Sequence, residues 1–172
     1  MKLLHCIFST KKYLAILIIM CYILFSSCYD EYRKTLHSID ADNIKTYAAA
    51  SEISSDKGFN NDGTVIYIFT DLKKSEISKV IDESQKWNIY SPDTPVNLLM
   101  YGGQYDSTYY SPLTDFNQTI SDGYYYFVDR QNSKNNYDIT DILEIYDRNS
   151  INCILAIIDT NTDTLYYFQY NS

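Results

Sequence analysis

The chain has 172 residues, 45% of them hydrophobic, and carries 14 Lys plus Arg against 22 Asp plus Glu, a formal net charge of −8. Three of the lysines and none of the acids precede Cys28, so the residues after it carry a net charge of −11. A domain this acidic, without a local basic cluster, is repelled by phosphates, which argues against nucleic acid as a partner.

The first 28 residues follow the order of a secretory signal peptide. Three lysines form a positive leader, residues 13–25 form an uncharged apolar core, and Ser26 and Ser27 lead into Cys28. This order resembles the lipobox of bacterial lipoproteins, although Phe25 stands at the third position before the cysteine. We therefore expect residues 1–27 to be removed and Cys28 to carry the lipid that holds the protein on the outer face of the cell membrane.

An uncleaved transmembrane anchor is the alternative for this segment. Residues 13–29 are 17 residues without a charge, close to the lower limit for a membrane-spanning helix, which usually needs about 20. Lys11 and Lys12 on its N-terminal side would also direct the rest of the chain outward. Under either hypothesis the membrane is a partner, through an N-terminal lipid or helix, and the remaining chain is extracytoplasmic.

Residues 28–63 read as a polar tether or a short helix that precedes the compact domain, which we place at 64–172. Tyr32, Leu36 and Ile39 recur at helical spacing within this segment. Residues 51–63 collect Ser, Asp, Asn and Gly, a composition typical of a loop.

The compact domain opens with a strand, a helix and a second strand. The run TVIYIFT (64–70) is β-branched and aromatic on both faces, which indicates a central strand. Residues 74–87 carry apolar side chains every three or four positions, which predicts an amphipathic helix capped by Asp71 or Ser75. The apolar run 96–101 then predicts a strand, and the three elements together predict a right-handed βαβ crossover.

The rest of the chain adds a third strand at 124–130 and a C-terminal hairpin of residues 151–158 and 165–170. The intervening residues 131–150 are polar and irregular, with a short helical turn around 139–146. The sequence thus predicts a single α+β domain, with a mixed sheet of about five strands and one main amphipathic helix.

A pattern across residues 51–172 carries a family resemblance. A glycine–aromatic run leads into Asp129 and Arg130, a polar loop follows, and the step from Arg148 to Ser150 precedes the Asp-Thr-rich hairpin. This pattern is similar to an uncharacterised family of small proteins from low-GC Gram-positive bacteria. The resemblance implies a shared fold and a single-membrane envelope, but it implies no activity. Residues 131–132 are Gln-Asn where that family has His-Ser, so no catalytic histidine is implied.

Few residues carry recognisable chemistry. His37 is the only histidine after the leader, which leaves no material for a Ser-His-Asp triad or a multi-histidine metal site. The run DTNTDT (159–164) alternates like the start of a calcium loop but lacks the glycine and glutamate that such a loop needs. We interpret it as a hairpin turn, and we predict no catalytic residue, metal site or cofactor.

The acidic side chains permit one catalytic alternative. Asp129, Asp141 and Glu144 could supply the paired carboxylates of a small cell-envelope hydrolase, although a solvated acidic face is the simpler interpretation. Asp129 is also expected to form a salt-bridged cluster with Arg130 and Arg148 that fixes the 131–150 loop.

The cysteine and the tyrosines that follow Cys28 carry two further predictions. Cys153 is the one cysteine after Cys28 and lies in an apolar run, so we expect it to be buried. Seventeen tyrosines follow Cys28; those on strands should pack in the sheet, whereas Tyr105, Tyr109 and Tyr110 lie in a predicted loop. Loop aromatics are good ligand platforms, so the sequence favours a non-catalytic module that binds an extracellular ligand or protein there.

Overall fold

A computed structural model describes residues 16–17, 19–20, 30–47, 49–54, 63–113, 116–132 and 139–171. The residues up to Ser38 form one unit, which contains helix α1 (30–37). Residues Ile39–Ser172 form a second, compact unit. Cys28 and the predicted cleavage site lie outside the described residues.

The compact unit contains eight strands and three helices in its described part. In chain order these are β1 (Ala49–Ser54), β2 (Gly63–Thr70), α2 (Lys74–Glu83), β3 (Trp87–Tyr90), α3 (Asn97–Tyr101), β4 (Gly103–Tyr105), β5 (Thr108–Tyr110), β6 (Gly123–Asp129), α4 (Ile139–Leu143), β7 (Asn152–Asp159) and β8 (Thr164–Asn171). A 3-10 turn, Glu144–Asp147, follows α4 directly.

Six of the strands form one sheet in the order β1-β2-β8-β7-β6-β3, while β4 and β5 pair separately as a small hairpin. The α+β fold class is therefore confirmed. Every described strand pair is antiparallel, so the sheet is not mixed. Strands β2 and β3, which precede and follow α2 in the chain, run in the same direction. They are not neighbours in the sheet, because β8, β7 and β6 lie between them.

The two faces of the sheet are covered by different elements. Because successive strand residues point to opposite faces, the register assigns alternate side chains of β2, β6, β7 and β8 to each face. One face packs against α3, α4 and the segment around Ile120 in a continuous apolar cluster. Its largest fully buried members are Tyr90, Leu99, Met100, Ile142, Ile145, Leu155, Ile157 and Phe168.

The opposite face is covered by α2 and by residues 39–47. Trp87 packs against Tyr126 with ring centroids 5.6 Å apart, and its Nε1–H donates to the carbonyl of Ile39 over 3.1 Å. Glu76 of α2 accepts hydrogen bonds from the backbone N–H groups of Lys45 and Thr46 at 3.0 and 3.1 Å. Residues 39–54, which we expected in the tether, thus belong to the compact unit, and β1 replaces part of the predicted loop.

Helix α2 is shorter than predicted because its apolar spacing continues into a strand. The helix ends at Glu83, and Trp87 begins β3 instead of completing the helical stripe. Neither Asp71 nor Ser75 caps the helix, since the N-cap position is Lys73 and no side chain bonds there. Two residues of the predicted apolar stripe, Ile77 and Val80, are buried.

The predicted strand at 96–101 is wrong, because this segment is helix α3. Three turn hydrogen bonds start it, including one from the N–H of Leu98 to the carbonyl of Pro95 at 3.1 Å. Val96, Leu99 and Met100 are fully buried at helical spacing. A short apolar run does not distinguish a buried helix from a buried strand by periodicity, and here the packing of Val96, Leu99 and Met100 into the core favours the helix.

The C-terminal half agrees with the sequence. Strand β6, the helical turns of α4 and 144–147, and the β7–β8 hairpin all lie where they were predicted. At the hairpin turn, Asp159 Oδ1 accepts from the N–H of Asn161 at 2.8 Å, and Thr164 Oγ1 donates to the carbonyl of Thr162 at 3.1 Å. The run DTNTDT is therefore a turn stabilised by its own side chains.

Candidate functional site

The predicted tyrosine loop is a β-hairpin that follows α3. Strands β4 and β5 are joined by Asp106 and Ser107, which both have positive φ angles of 45° and 67°. This is the geometry of a type I′ turn, which usually carries Asn-Gly or Asp-Gly. The absence of that glycine is why the sequence did not reveal the hairpin.

The register of this hairpin separates the three candidate tyrosines. Tyr105 is paired with Thr108 and shares its face with Tyr110, whereas Tyr109 is paired with Gln104 on the opposite face. Tyr109 is 72% exposed and Tyr105 is 41% exposed. Tyr110 is half-buried and packs against Tyr146 with ring centroids 5.1 Å apart. Two of the three rings are therefore available to a ligand, and Tyr110 supports the hairpin.

A groove of about 420 Å³ lies between the hairpin, α3 and the turn that precedes α3. We call it the tyrosine groove, and its lining residues are Pro92, Asp93, Thr94, Pro95, Asn97, Leu98, Gly102, Gln104 and Tyr105. Its walls combine two prolines, a leucine and a tyrosine with one carboxylate, two amides, a threonine and a glycine. Of these residues, only Tyr105 was predicted as a site residue from the sequence. Pro92, Pro95 and the Gly102-Gly103 pair are the sequence features that could have indicated the groove.

The walls of the tyrosine groove are attached to the core by hydrogen bonds. Asn97 Nδ2 donates to the carbonyl of Pro92 at 2.8 Å, and Asn97 Oδ1 accepts from the hydroxyl of Tyr90 at 2.6 Å. Burial raises the pKa of Tyr90, which keeps its hydroxyl protonated as the donor. The hydroxyl of Tyr146 donates to the carbonyl of Leu98 at 2.9 Å. The groove is thus built on fixed elements.

Gly102 makes the sharp junction between α3 and the hairpin possible. Its φ is +64°, and a Cβ at this position would lie 2.6 Å from the carbonyl oxygen of Tyr110 and 2.7 Å from Cδ of Pro112. No other residue fits here without moving the backbone.

Several polar groups in and beside the tyrosine groove have no partner within the described ranges. The amide of Gln104, the carboxylate of Asp93 and the hydroxyl of Tyr105 belong to this set, and all three residues are exposed. Asp106 at the hairpin tip is also exposed and makes no ion pair in the same part of the chain. These groups are free to contact a ligand.

A second groove, of about 320 Å³, lies on the opposite face of the sheet beside α2. We call it the α2 groove, and it is lined by Lys74, Ile77, Ser78, Ile81, Asp82, Tyr124, Thr160 and Asp163. Lys74 Nζ lies 4.0 Å from Asp163 Oδ2. Asp82 and Asp163 are two carboxylates in one groove, but neither is buried, whereas the general acid of a glycosidase sits in an apolar site.

The predicted cluster around Asp129 exists in part. Arg148 Nη1 donates to Asp129 Oδ2, and Asp129 Oδ1 accepts from the N–H of Gln131 at 2.9 Å. Asp129 is buried, so Arg148 supplies the charge that its burial requires. Arg130 is exposed beside this pair and contributes its backbone N–H to the carbonyl of Asn152. Glu144 is exposed and Asp141 half-buried, and the catalytic alternative built on them stays a prediction.

Cys153 is fully buried, as predicted, and burial next to Asp129 raises the pKa of its thiol. A protonated thiol without solvent access is chemically inert. Tyr170, its cross-strand neighbour, is also buried, and its hydroxyl has no hydrogen-bond partner within the described part of the chain.

No three His, Cys, Asp or Glu side chains among the described residues are grouped so that they could hold a metal ion. The described residues also include no helix with the length and apolar character needed to cross a bilayer. No family model, curated protein or solved structure matches the chain.

Proposed function

We propose that this protein is a lipoprotein on the outer face of the cell membrane, attached through a lipidated Cys28, and that its compact unit is a non-catalytic binding module. The order of leader, apolar core and small residues before Cys28 supports the anchor. The described apolar residues of the leader, Ile16, Leu17, Ile19 and Met20, are each more than half exposed. The resemblance to small proteins of low-GC Gram-positive bacteria supports a single-membrane envelope.

The tyrosine groove is the proposed ligand site, and one observation carries this assignment. Its walls are fixed by hydrogen bonds to the core, while Asp93, Gln104 and Tyr105 present groups that bond to nothing in the described residues. A preformed site loses little conformational entropy when a ligand binds. Apolar walls with a few placed polar groups are typical of such sites.

Binding without catalysis agrees better with this groove than hydrolysis does. Glycoside hydrolysis needs two carboxylates at a fixed separation of roughly 5 to 10 Å, and among the described residues Asp93 is the one carboxylate that lines the tyrosine groove. A small envelope hydrolase remains the alternative. The pair Asp82 and Asp163 in the α2 groove is the observation that favours it.

Ligand-induced stabilisation tests the binding function. The full-length chain in neutral detergent would be heated with a panel of basic, acidic and neutral peptides and cell-wall oligosaccharides. A ligand that binds the folded state raises the melting temperature, because binding adds to the free energy of unfolding. We expect at least one class to do so for the wild type and not for Tyr105→Ala, with the ligand recovered at unchanged mass. Cleavage of the ligand, or equal stabilisation of Tyr105→Ala, would contradict the proposal.

Intact-mass analysis of membrane fractions tests the anchor separately. We expect a mature chain that begins at Cys28 and carries a diacylglyceryl group, and we expect Cys28→Ala to lose both features. An unprocessed chain in both samples would instead support the uncleaved transmembrane segment.

A further inference from the structure

The segment that builds the tyrosine groove has an unusual charge pattern. Residues 87–129 contain five aspartates and no lysine, arginine or histidine. Arg148 neutralises the last of these aspartates, Asp129, from outside the segment. Asp93 in the groove and Asp106 beside it are exposed and have no cationic partner among the described residues. The electrostatic potential at this site is therefore negative and uncompensated.

Part of the hydrogen-bonding capacity of the groove is used within the protein, which leaves few groups for a neutral sugar. A polyol needs many free donors and acceptors, but both ends of the Asn97 amide are used within the protein. Thr94 Oγ1 accepts from the N–H of Ser91 at 2.9 Å. Of the two amide side chains that line the groove, only that of Gln104 has no partner within the described residues.

The remaining chemistry fits a lysine or arginine side chain. Pro92, Pro95 and Leu98 offer apolar surface for its aliphatic stem. The carboxylate of Asp93 can pair with its charged end, and the exposed ring of Tyr105 offers a cation–π surface.

We propose that the tyrosine groove binds an extended basic segment of a partner protein, with a lysine or arginine side chain held between the proline wall, Asp93 and Tyr105. This inference rests on the proposed binding function and names its ligand class. Asp106 at the hairpin tip would receive a neighbouring basic residue of the same segment.

Fluorescence anisotropy with a designed probe tests the ligand class. The probe is an octapeptide of alternating lysine and alanine with blocked ends and an uncharged fluorophore, and its matched control carries glutamate in place of lysine. The full-length chain in neutral detergent should bind the lysine probe only. We expect Tyr105→Ala to weaken binding by about tenfold or more, as for an aromatic interface anchor. Tyr105→Phe, which keeps the ring, should retain most of the affinity.

Charge is tested with a matched pair of variants. Asp93→Asn should weaken binding by about three- to tenfold, because rim charges at interfaces contribute modestly. Asp82→Asn makes the same charge change in the α2 groove and should leave binding unchanged. Raising the salt from about 0.05 to 0.5 M should weaken binding through screening.

The outcomes separate the ligand class from the binding function. A lysine probe that does not bind, or that binds equally to wild type, Tyr105→Ala and Asp93→Asn, overturns the basic-segment inference. If an oligosaccharide or acidic peptide stabilises the wild type but not Tyr105→Ala, the groove is a binding site for another ligand class. In that case the proposed function stands and this inference fails.

Discussion

The two grooves of the compact unit have similar volumes, about 420 and 320 Å³, but they differ in whether their carboxylates are paired with a cation. In the α2 groove Lys74 faces Asp163 across 4.0 Å, so cation and carboxylate accompany each other. In the tyrosine groove Asp93 has no cation among its lining residues. A groove that balances its own charge offers little to distinguish one charged ligand from another, whereas an unbalanced one selects for the opposite charge.

The same contrast holds between buried and exposed acids of residues 87–129. Asp129 is buried and paired with Arg148, while Asp93 is exposed and unpaired within the described chain. Burying a charge without a partner is costly, but leaving it in water is not. Arg148 therefore pairs with the buried acid, whose charge needs a partner for stability, and the exposed acids Asp93 and Asp106 remain available for recognition.

Removing Arg148 should give the largest loss of stability. We expect Arg148→Met to lower the free energy of unfolding by about 3–5 kcal/mol, because it removes the cation that pairs with the buried carboxylate of Asp129. Urea denaturation measures this change. The double variant Asp129→Asn/Arg148→Met should recover part of the loss, and Asp93→Asn should cost almost nothing. A similar cost for Asp93→Asn and Arg148→Met would remove the distinction between the two acids.

Gly102→Ala should be the next most damaging change and should act on the tyrosine groove. The positive φ and the contact at 2.6 Å with the carbonyl of Tyr110 predict a loss of about 2–4 kcal/mol, together with loss of ligand binding. Gly103→Ala is the matched control. It also has a positive φ, so an alanine strains the backbone there as well, but its added Cβ would meet only Leu98 Cδ2 at 3.5 Å; Gly103→Ala should therefore cost less than Gly102→Ala by the part that the backbone clash contributes. Equal urea midpoints for the two variants would show that the junction does not constrain the groove.

Acid should weaken the contact between α2 and residues 45–46. Burial alone would raise the pKa of Glu76, but the hydrogen bonds from Lys45 and Thr46 outweigh it and lower the pKa below the usual 4.5. A lowered pKa stabilises the fold above the unfolded value, and this contribution is lost as the pH falls below 4.5 through the folded value. Because Glu76 is only partly buried and water screens its interactions, we expect only about 1 kcal/mol. Glu76→Gln should show a smaller loss of stability between pH 6 and 3 than the wild type; an unchanged pH profile would contradict this assignment.

Tyr170→Phe should have the smallest effect and the opposite sign. Its hydroxyl is buried without a partner in the described residues, so removing it relieves an unsatisfied polar group. We expect the free energy of unfolding to stay constant or rise by up to about 1 kcal/mol. A clear loss of stability in thermal unfolding would show that this hydroxyl has a bonding partner. A constant or higher free energy of unfolding would contrast with the tyrosine groove, where polar groups without a partner in the described residues are exposed to water and do not lower the stability.

The sequence predicted the parts of the fold that local patterns determine. Strands β2, β6, β7 and β8 and the turn at 160–163 follow from continuous apolar runs and turn residues. Strand β3 and helix α3 were misassigned, because the helical spacing of α2 continues to Trp87 and the run 96–101 fits either structure. Only tertiary packing decides between these alternatives.

The candidate site was predictable only in part, for a similar reason. Tyr105 was identified because loop aromatics are recognisable in sequence, but its separation from Tyr109 depends on the register of a hairpin without a turn glycine. Asp93 and Gln104 become relevant through three-dimensional proximity, which no local pattern encodes. The absence of basic residues from 87 to 129 is visible in the sequence. The structure adds that Arg148 pairs with Asp129, whereas Asp93 and Asp106 have no cationic partner among the described residues.

Titration of the full-length, ¹⁵N-labelled chain with the lysine–alanine octapeptide, followed by amide chemical shifts, distinguishes the two grooves in a single experiment. If the tyrosine groove binds the basic segment, concentration-dependent shifts occur at Gly102, Gly103, Gln104 and Tyr105, with residues 78–82 of α2 unchanged. Shifts confined to residues 78–82, or spread evenly over both grooves, would contradict the assignment of the tyrosine groove as the binding site.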